Sequence, residues 1–268
     1  KTSLGGDDGI AVAYALAVLD DDSISHPRLE VILTVDEETG MTGAKGINLS
    51  MLKGNYLINL DSEEEGYILT SCAGGLNGEI ELPMQYVDAK GIAFTIRVDG
   101  LMGGHSGAEI QKERANAIKL AGRLLHTINE AAEIGLISFC GGEKDNAIPR
   151  SSTIELLVTE EDASRLVEII RAEEEIYRKE YASSDSGLCL KIEEKGTCTA
   201  KVLTPAAQEK LIFLLVNMPN GIQNMSMELK GVPETSLNAG VAVLSQEKFS
   251  LTVSVRSSVR SRKHAVSA

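Results

Sequence analysis

Residues 29–61, LEVILTVDEETGMTGAKGINLSMLKGNYLINLD, decide how the chain is read. Leu29 to Val35 is an apolar, β-branched run that suits a buried strand. Gly43 to Leu52 reads as a short helix, and Tyr56 to Leu60 as a second strand. Strand, helix, strand predicts parallel pairing with a right-handed crossover. Asp36, Glu37 and Glu38 follow the first strand. Asp61 and Glu63 to Glu65 follow the second. Both acidic clusters then fall at the carboxyl ends of neighbouring parallel strands, the edge at which open α/β sheets place their ligand sites. Upstream, Gly9 to Leu19 is an apolar helix with Asp7 and Asp8 at its N-terminal end, where the helix dipole favours negative charge.

The acidity is local. Of the net charge of −13 over 268 residues, the first 66 positions hold nine units, with thirteen acidic and four basic residues. Two carboxylates 4 Å apart repel by about 4 kcal/mol at an effective dielectric near 20. Such a cluster persists when it is protonated, solvated or bound to a cation. Nucleic acid and anionic membrane are excluded as partners, because both need clustered Lys and Arg. Cys72, Cys140, Cys189 and Cys198 are scattered without C-x-x-C spacing. They read as free thiols in a reducing compartment, which favours the cytoplasm. No apolar run approaches the roughly 18 residues of a membrane span, and no signal peptide is visible. The sequence starts at Lys1 rather than Met, so it is expected to be cut from something longer.

With 43% hydrophobic residues the chain can build one large core or two smaller ones. Residues 1–90 read as one domain, ending in strand and turn over Ile68 to Pro83 and a linker over Val87 to Gly91. Residues 91–268 read as another. There a strand (Ile92 to Val98), a long amphipathic helix (Glu109 to Ala132), two strands (Leu136 to Cys140, Thr153 to Val158), a helix from Thr159 to about Tyr181 and a strand (Leu188 to Ile192) follow in turn. That βαββαβ order is the ferredoxin-like signature. A helix (Pro205 to Val216) and two strands (about Ser236 to Leu244, Phe249 to Val255) come after it. The fold class is α/β with a second, α+β part.

Each chemically interesting residue has a plain alternative. Asp7 sits after two glycines and before a helix, so it suits a ligand position, but Asp7 or Asp8 can also cap that helix, with Asp8 the capping candidate. Glu37 and Glu38 point in different directions from an extended chain, one toward a metal and one toward its water, or they are a solvated loop. Asp61, nearest its strand end, is a better ligand candidate than Glu63 to Glu65, which a surface loop explains. His105 lies in LMGGHSG, a glycine-flanked loop that raises the odds of function over a structural histidine. Asn146 belongs to the polar turn NAIPR. Arg256 ends a strand and suits either a bidentate carboxylate contact or a surface ion pair.

LGGDDG, VDEETG, NLDSEEEG, SCAGG, GGHSG and NAIPR, in this order, resemble the dinuclear zinc aminopeptidase and carboxypeptidase superfamily that includes aminoacylase and carboxypeptidase G. NLDSEEEG and SCAGG point to its aminoacyl-histidine (cytosol non-specific) dipeptidase branch. The resemblance implies part of an α/β catalytic domain over residues 1–90 and an inserted ferredoxin-like lid and dimerisation domain over 91–268. It implies two zinc ions per intact subunit, with cobalt or manganese as alternatives. Asp7 would bridge the metals, Glu38 and Asp61 would each hold one, and Glu37 would be the general base. His105 would polarise the scissile carbonyl, in many members at the partner subunit's site. Asn146 and Arg256 would contact a dipeptide, the Arg at its terminal carboxylate. A homodimer through the lid is implied.

Two departures stand out. The family's upstream His-x-Asp has no counterpart before LGGDDG, and His264 lacks the context of the family's last His ligand. Three of five expected ligands are present, so the sequence is read as a fragment lacking both ends and inactive by itself. Other readings are an aminoacylase, deacetylase or tripeptidase on the same fold, and a non-catalytic dimerisation module.

Overall fold

The computed structural model describes residues 6–61, 65–69 and 71–268. Glu63 and Glu64, read above as solvated loop, lie outside them. The chain divides into two compact units, Lys1–Thr70 and Ser71–Ala268.

In the first unit, helix α1 (Gly9–Asp20) starts where the Asp8 carboxylate accepts the Ala11 N–H at 3.2 Å. Asp8 is thus the capping residue, satisfying one of the free donors of the first turn. Two short helices follow, α2 (Glu37–Gly40) and α3 (Thr42–Gly46), then a 3-10 turn over Leu49–Met51. The expected strands over 29–35 and 56–60 form no ladder. A strand needs both a hydrogen-bonded neighbour and burial of a face. Here Leu33, Val35, Leu57 and Ile58 are exposed, and Tyr56 is 93% exposed. Polar ties hold the segments instead. The Glu30 carboxylate accepts the N–H groups of Lys53 (2.9 Å) and Gly54 (2.8 Å), and Gly43 N–H donates to the Val35 carbonyl at 3.2 Å.

The second unit is built on an antiparallel sheet. Its strands are β1 (Gly74–Pro83), β2 (Tyr86–Asp99), β4 (Ile134–Gly141), β6 (Ser152–Val158), β7 (Cys189–Leu203), β8 (Gly221–Met225), β9 (Pro233–Leu244) and β10 (Lys248–Ser257). They run in the order β1-β10-β9-β4-β6-β2-β7, with β8 also on β9. A separate pair joins β3 (Gly104–His105) to β5 (Ala147–Ile148). Helices α4 (Ala117–Ala131), α5 (Ala163–Glu180) and α6 (Pro205–Asn217) complete the unit, with α7 (Arg260–Ser267) after β10. The sequence β2-α4-β4-β6-α5-β7 is the expected βαββαβ, its first and third strands central in the order β4-β6-β2-β7. β1, β9 and β10 widen that sheet beyond β4.

Three expectations change. Val87–Gly91 is strand rather than linker, since β2 pairs with β7 from Tyr86 onward. The division therefore falls at 70/71 rather than 90/91, and β1 pairs with β10 along its whole length. The helix expected from Glu109 starts only at Ala117. Glu113 takes φ +48, which breaks a helix, and Asn116 caps the new start by accepting from Ile118 (3.0 Å) and Lys119 (3.3 Å). Among the described residues the hydrophobic core lies in this unit. Ile118, Leu120, Leu124, Leu125 and Ile128 of α4 and Leu211 of α6 are fully or almost fully buried together with Phe94, Ile96, Ile154 and Leu156 of the sheet. The apolar face of α4 recurs every three to four residues, as a helix lying on a sheet requires.

Candidate active site

The candidate residues form two groups, one in each unit. In the first unit, Asp7 precedes the cap of α1, and Glu37 and Glu38 open α2. They are therefore in a first helical turn, where neighbours diverge by about 100°, and not on an extended chain. The Asp61 carboxyl is pushed above the ordinary range, first by desolvation, then by the charges of Asp7 and Asp8, a hydrogen bond with Asp7 and the charge of Glu38. The charges of Asp7 and Glu38 thus bear on Asp61, and all three residues are exposed to water that screens them. Their oxygen donors and surplus charge suit a divalent cation in kind. No imidazole accompanies them, and among the described residues no group of three or more His, Cys, Asp or Glu could hold a metal ion. By themselves they do not make the three- or four-ligand shell that zinc takes.

In the second unit the GGHSG and NAIPR motifs meet. Gly104 and His105 pair with Ile148 and Ala147, and Ser106 N–H donates to the Asn146 carbonyl at 2.8 Å. The Asn238 amide of β9 anchors the second motif by donating to the carbonyls of Asp145 (3.1 Å) and Ala147 (2.8 Å). His105 and Asn146 are exposed and line a cavity of about 720 Å³, together with Met102, Glu143, Lys144 and Arg150.

The His105 ring has a defined tautomer. Its Nδ1 accepts the N–H groups of Gly107 (3.2 Å) and Ala108 (3.0 Å). Two donors at Nδ1 leave the neutral ring's proton on Nε2, which can donate to a carbonyl oxygen. Arg256, on β10, reaches the same loop. A Cβ placed on Gly107 would lie 2.8 Å from both Cζ and Nε of Arg256 and 3.0 Å from Cε1 of His105. Arg256 Nε and Ser106 Oγ are buried and have no hydrogen-bond partner among the described residues. A buried donor without a partner is costly, and Arg256 Nε carries that cost here.

Glu109 and Arg114 escaped the sequence reading. The Glu109 carboxylate accepts the His105 N–H at 3.1 Å and pairs with Lys112 and Arg114, while Arg114 donates to the Gly103 carbonyl. The Lys112 ammonium, then the His105 N–H, hold Glu109 below the ordinary carboxylate range. In GAEIQKER these look like surface charges on a helix, and only the break at Glu113 turns them toward the loop.

With this geometry in place the comparisons can be read. Residues 96–185 match the peptidase dimerisation domain. The chain is 38% identical to the cytosol non-specific dipeptidase of Escherichia coli (strain K12) over 267 residues, 99% of this chain and 55% of that protein. The crystal structure of aminoacylhistidine dipeptidase from Vibrio alginolyticus superposes with a TM-score of 0.83 at 38% identity, over 99% of this chain and 54% of that one. A 65-residue stretch, 23% of this chain, is 43% identical to the uncharacterized protein YqjE of Bacillus subtilis (strain 168), of which it covers 18%. The chain spans about half the length of the first two proteins, and over that span its mixed helix–sheet fold is that of the dipeptidase structure. Among the described residues no helix is long and apolar enough to cross a membrane.

Proposed function

We propose that the native protein is a metal-dependent dipeptidase, acting on Xaa-His and other dipeptides. The observation that supports this most is the 38% identity to a cytosol non-specific dipeptidase over 99% of this chain. In this reading Asp7, Glu38 and Asp61 would hold the zinc, together with ligands from elsewhere in the native protein. Bound zinc supplies an acidified water and a Lewis acid. The chain's own residues do the rest. Glu37, diverging from Glu38, takes a proton from the attacking water and returns it to the leaving amine. His105 Nε2–H donates to the scissile carbonyl oxygen as negative charge develops there. Arg256 pairs with the substrate's terminal carboxylate, which gives Nε the acceptor it lacks. Asn146, on the cavity wall, contacts the substrate.

The first compact unit is then part of the catalytic domain, and the second is the lid. The native protein is a homodimer through the lid and works in the cytoplasm. Replacing Glu37 by Gln in the native protein should leave bound metal unchanged and lower kcat by roughly 10²–10⁴-fold, the range of general base catalysis. Retention of full turnover by the Gln variant would remove Glu37 from this role.

A further inference from the structure

We propose that Asp185 is a positioning residue that fixes the orientation of His105. Only its catalytic consequence rests on the dipeptidase reading. Asp185 lies in the turn between α5 and β7 and is 1% exposed. Its backbone is tied to the core on both sides. Its N–H donates to the Tyr181 carbonyl at 2.8 Å, and its own carbonyl accepts from the fully buried Leu188 at 2.9 Å.

The carboxylate holds a different segment. Oδ1 accepts the Met102 N–H at 2.8 Å, and Oδ2 accepts the Ala115 N–H at 2.8 Å. These donors stand at the two ends of the loop that leaves β2 and returns to α4, with His105 inside it. One buried carboxylate therefore closes the loop at its base. A buried charge is tolerated only when hydrogen-bonded, and here both oxygens are engaged by the loop backbone.

The link to His105 runs through that backbone. The tautomer depends on the Gly107 and Ala108 N–H groups staying aimed at Nδ1. Glu109 and Arg114 hold the turn from within, through the His105 N–H and the Gly103 carbonyl. If the base of the loop opens, the two amides leave Nδ1 and nothing selects the Nε2–H form. A carboxylate that merely fastened a loop would affect stability without affecting the ring.

The test is long-range ¹H–¹⁵N spectroscopy of the histidine rings in the 268-residue chain, with His105 assigned through its loss in His105→Gln. The wild type should show one tautomer, protonated at Nε2. Asp185→Asn keeps the shape but sets an NH₂ donor against one of the two backbone donors. It should mix the two tautomers at His105 and leave the other rings unchanged. An unaltered His105 signature in this variant overturns the proposal. Hydrogen exchange in the wild type decides the matter even if the variant does not fold. Met102 and Ala115 amides should be protected and open together. Exchange of Met102 at the rate of an exposed amide, with His105 still in one tautomer, overturns it. In the native protein Asp185→Asn should lower kcat about 10²-fold, as misplacement of a catalytic group does, with KM little changed. A tautomer change in a protein without dipeptidase activity in any form would defeat the dipeptidase reading and leave the positioning role standing.

Discussion

Gly107 carries more of the site than its lack of a side chain suggests. The guanidinium of Arg256 and the ring of His105 both occupy the space its Cβ would take. Gly107→Ala should push both groups aside. Because the Arg256 end can swing away, the stability loss should stay within about 1 kcal/mol. Activity should fall more steeply, roughly 10–10²-fold, since a displacement well under 1 Å spoils a hydrogen bond to a developing charge. Denaturant unfolding and steady-state kinetics on one variant check both halves. At this scale the sequence was informative where glycines flank a reactive group, as in GGHSG. It was silent on Asp185 and Asn238, whose partners lie dozens of residues away. No local pattern marks a side chain whose role is to hold a distant backbone.

Helix α4 shows how elements are set by single polar contacts. Its start is fixed by Asn116, which also donates to the Ala239 carbonyl at 2.9 Å and so ties the helix to β9. One turn on, the Lys119 ammonium donates to the carbonyls of Leu215 (2.5 Å), Val216 (3.0 Å) and Met218 (2.6 Å), closing the C-terminal end of α6. Burial pushes the Lys119 pKa from 10.5 down to about 8. Between these two values the unfolded chain holds a proton that the folded chain has lost. Raising the pH through that interval therefore favours the folded state. Relative to Lys119→Met, the wild type should gain stability from pH 8 to pH 10.5, as measured by denaturant unfolding across the interval. A constant difference between the two proteins would contradict this. The apolar periodicity of α4 was legible in the sequence, but its first residue was not, because Glu109 to Arg114 continue the helical charge pattern while Glu113 leaves the helical conformation.

The two compact units differ in how far the sequence explains them. The βαββαβ order of the second was legible because each helix and strand buries one face within its own unit. The long reach of β2 and β7 was hidden by the polar residues of 87–91 and 193–201, which face away from the core. The first unit reads as parallel sheet from sequence, yet α1 is apolar along its length with none of its residues buried, and residues 29–35 and 56–60 form no ladder. An all-apolar helix is a core element, and here its cover is not supplied by the described residues. Charge density singled out the acidic residues of the first unit, thirteen in the first 66 positions.

Metal removal tests the central claim most directly. The native protein should be stripped with a chelator, assayed against an Xaa-His dipeptide, and assayed again after zinc is restored. The account predicts loss of nearly all hydrolysis on stripping and its return with about two equivalents of zinc per subunit, as a paired-metal site requires. Hydrolysis that survives complete stripping, or a protein that takes up zinc and never cleaves a dipeptide, would contradict it.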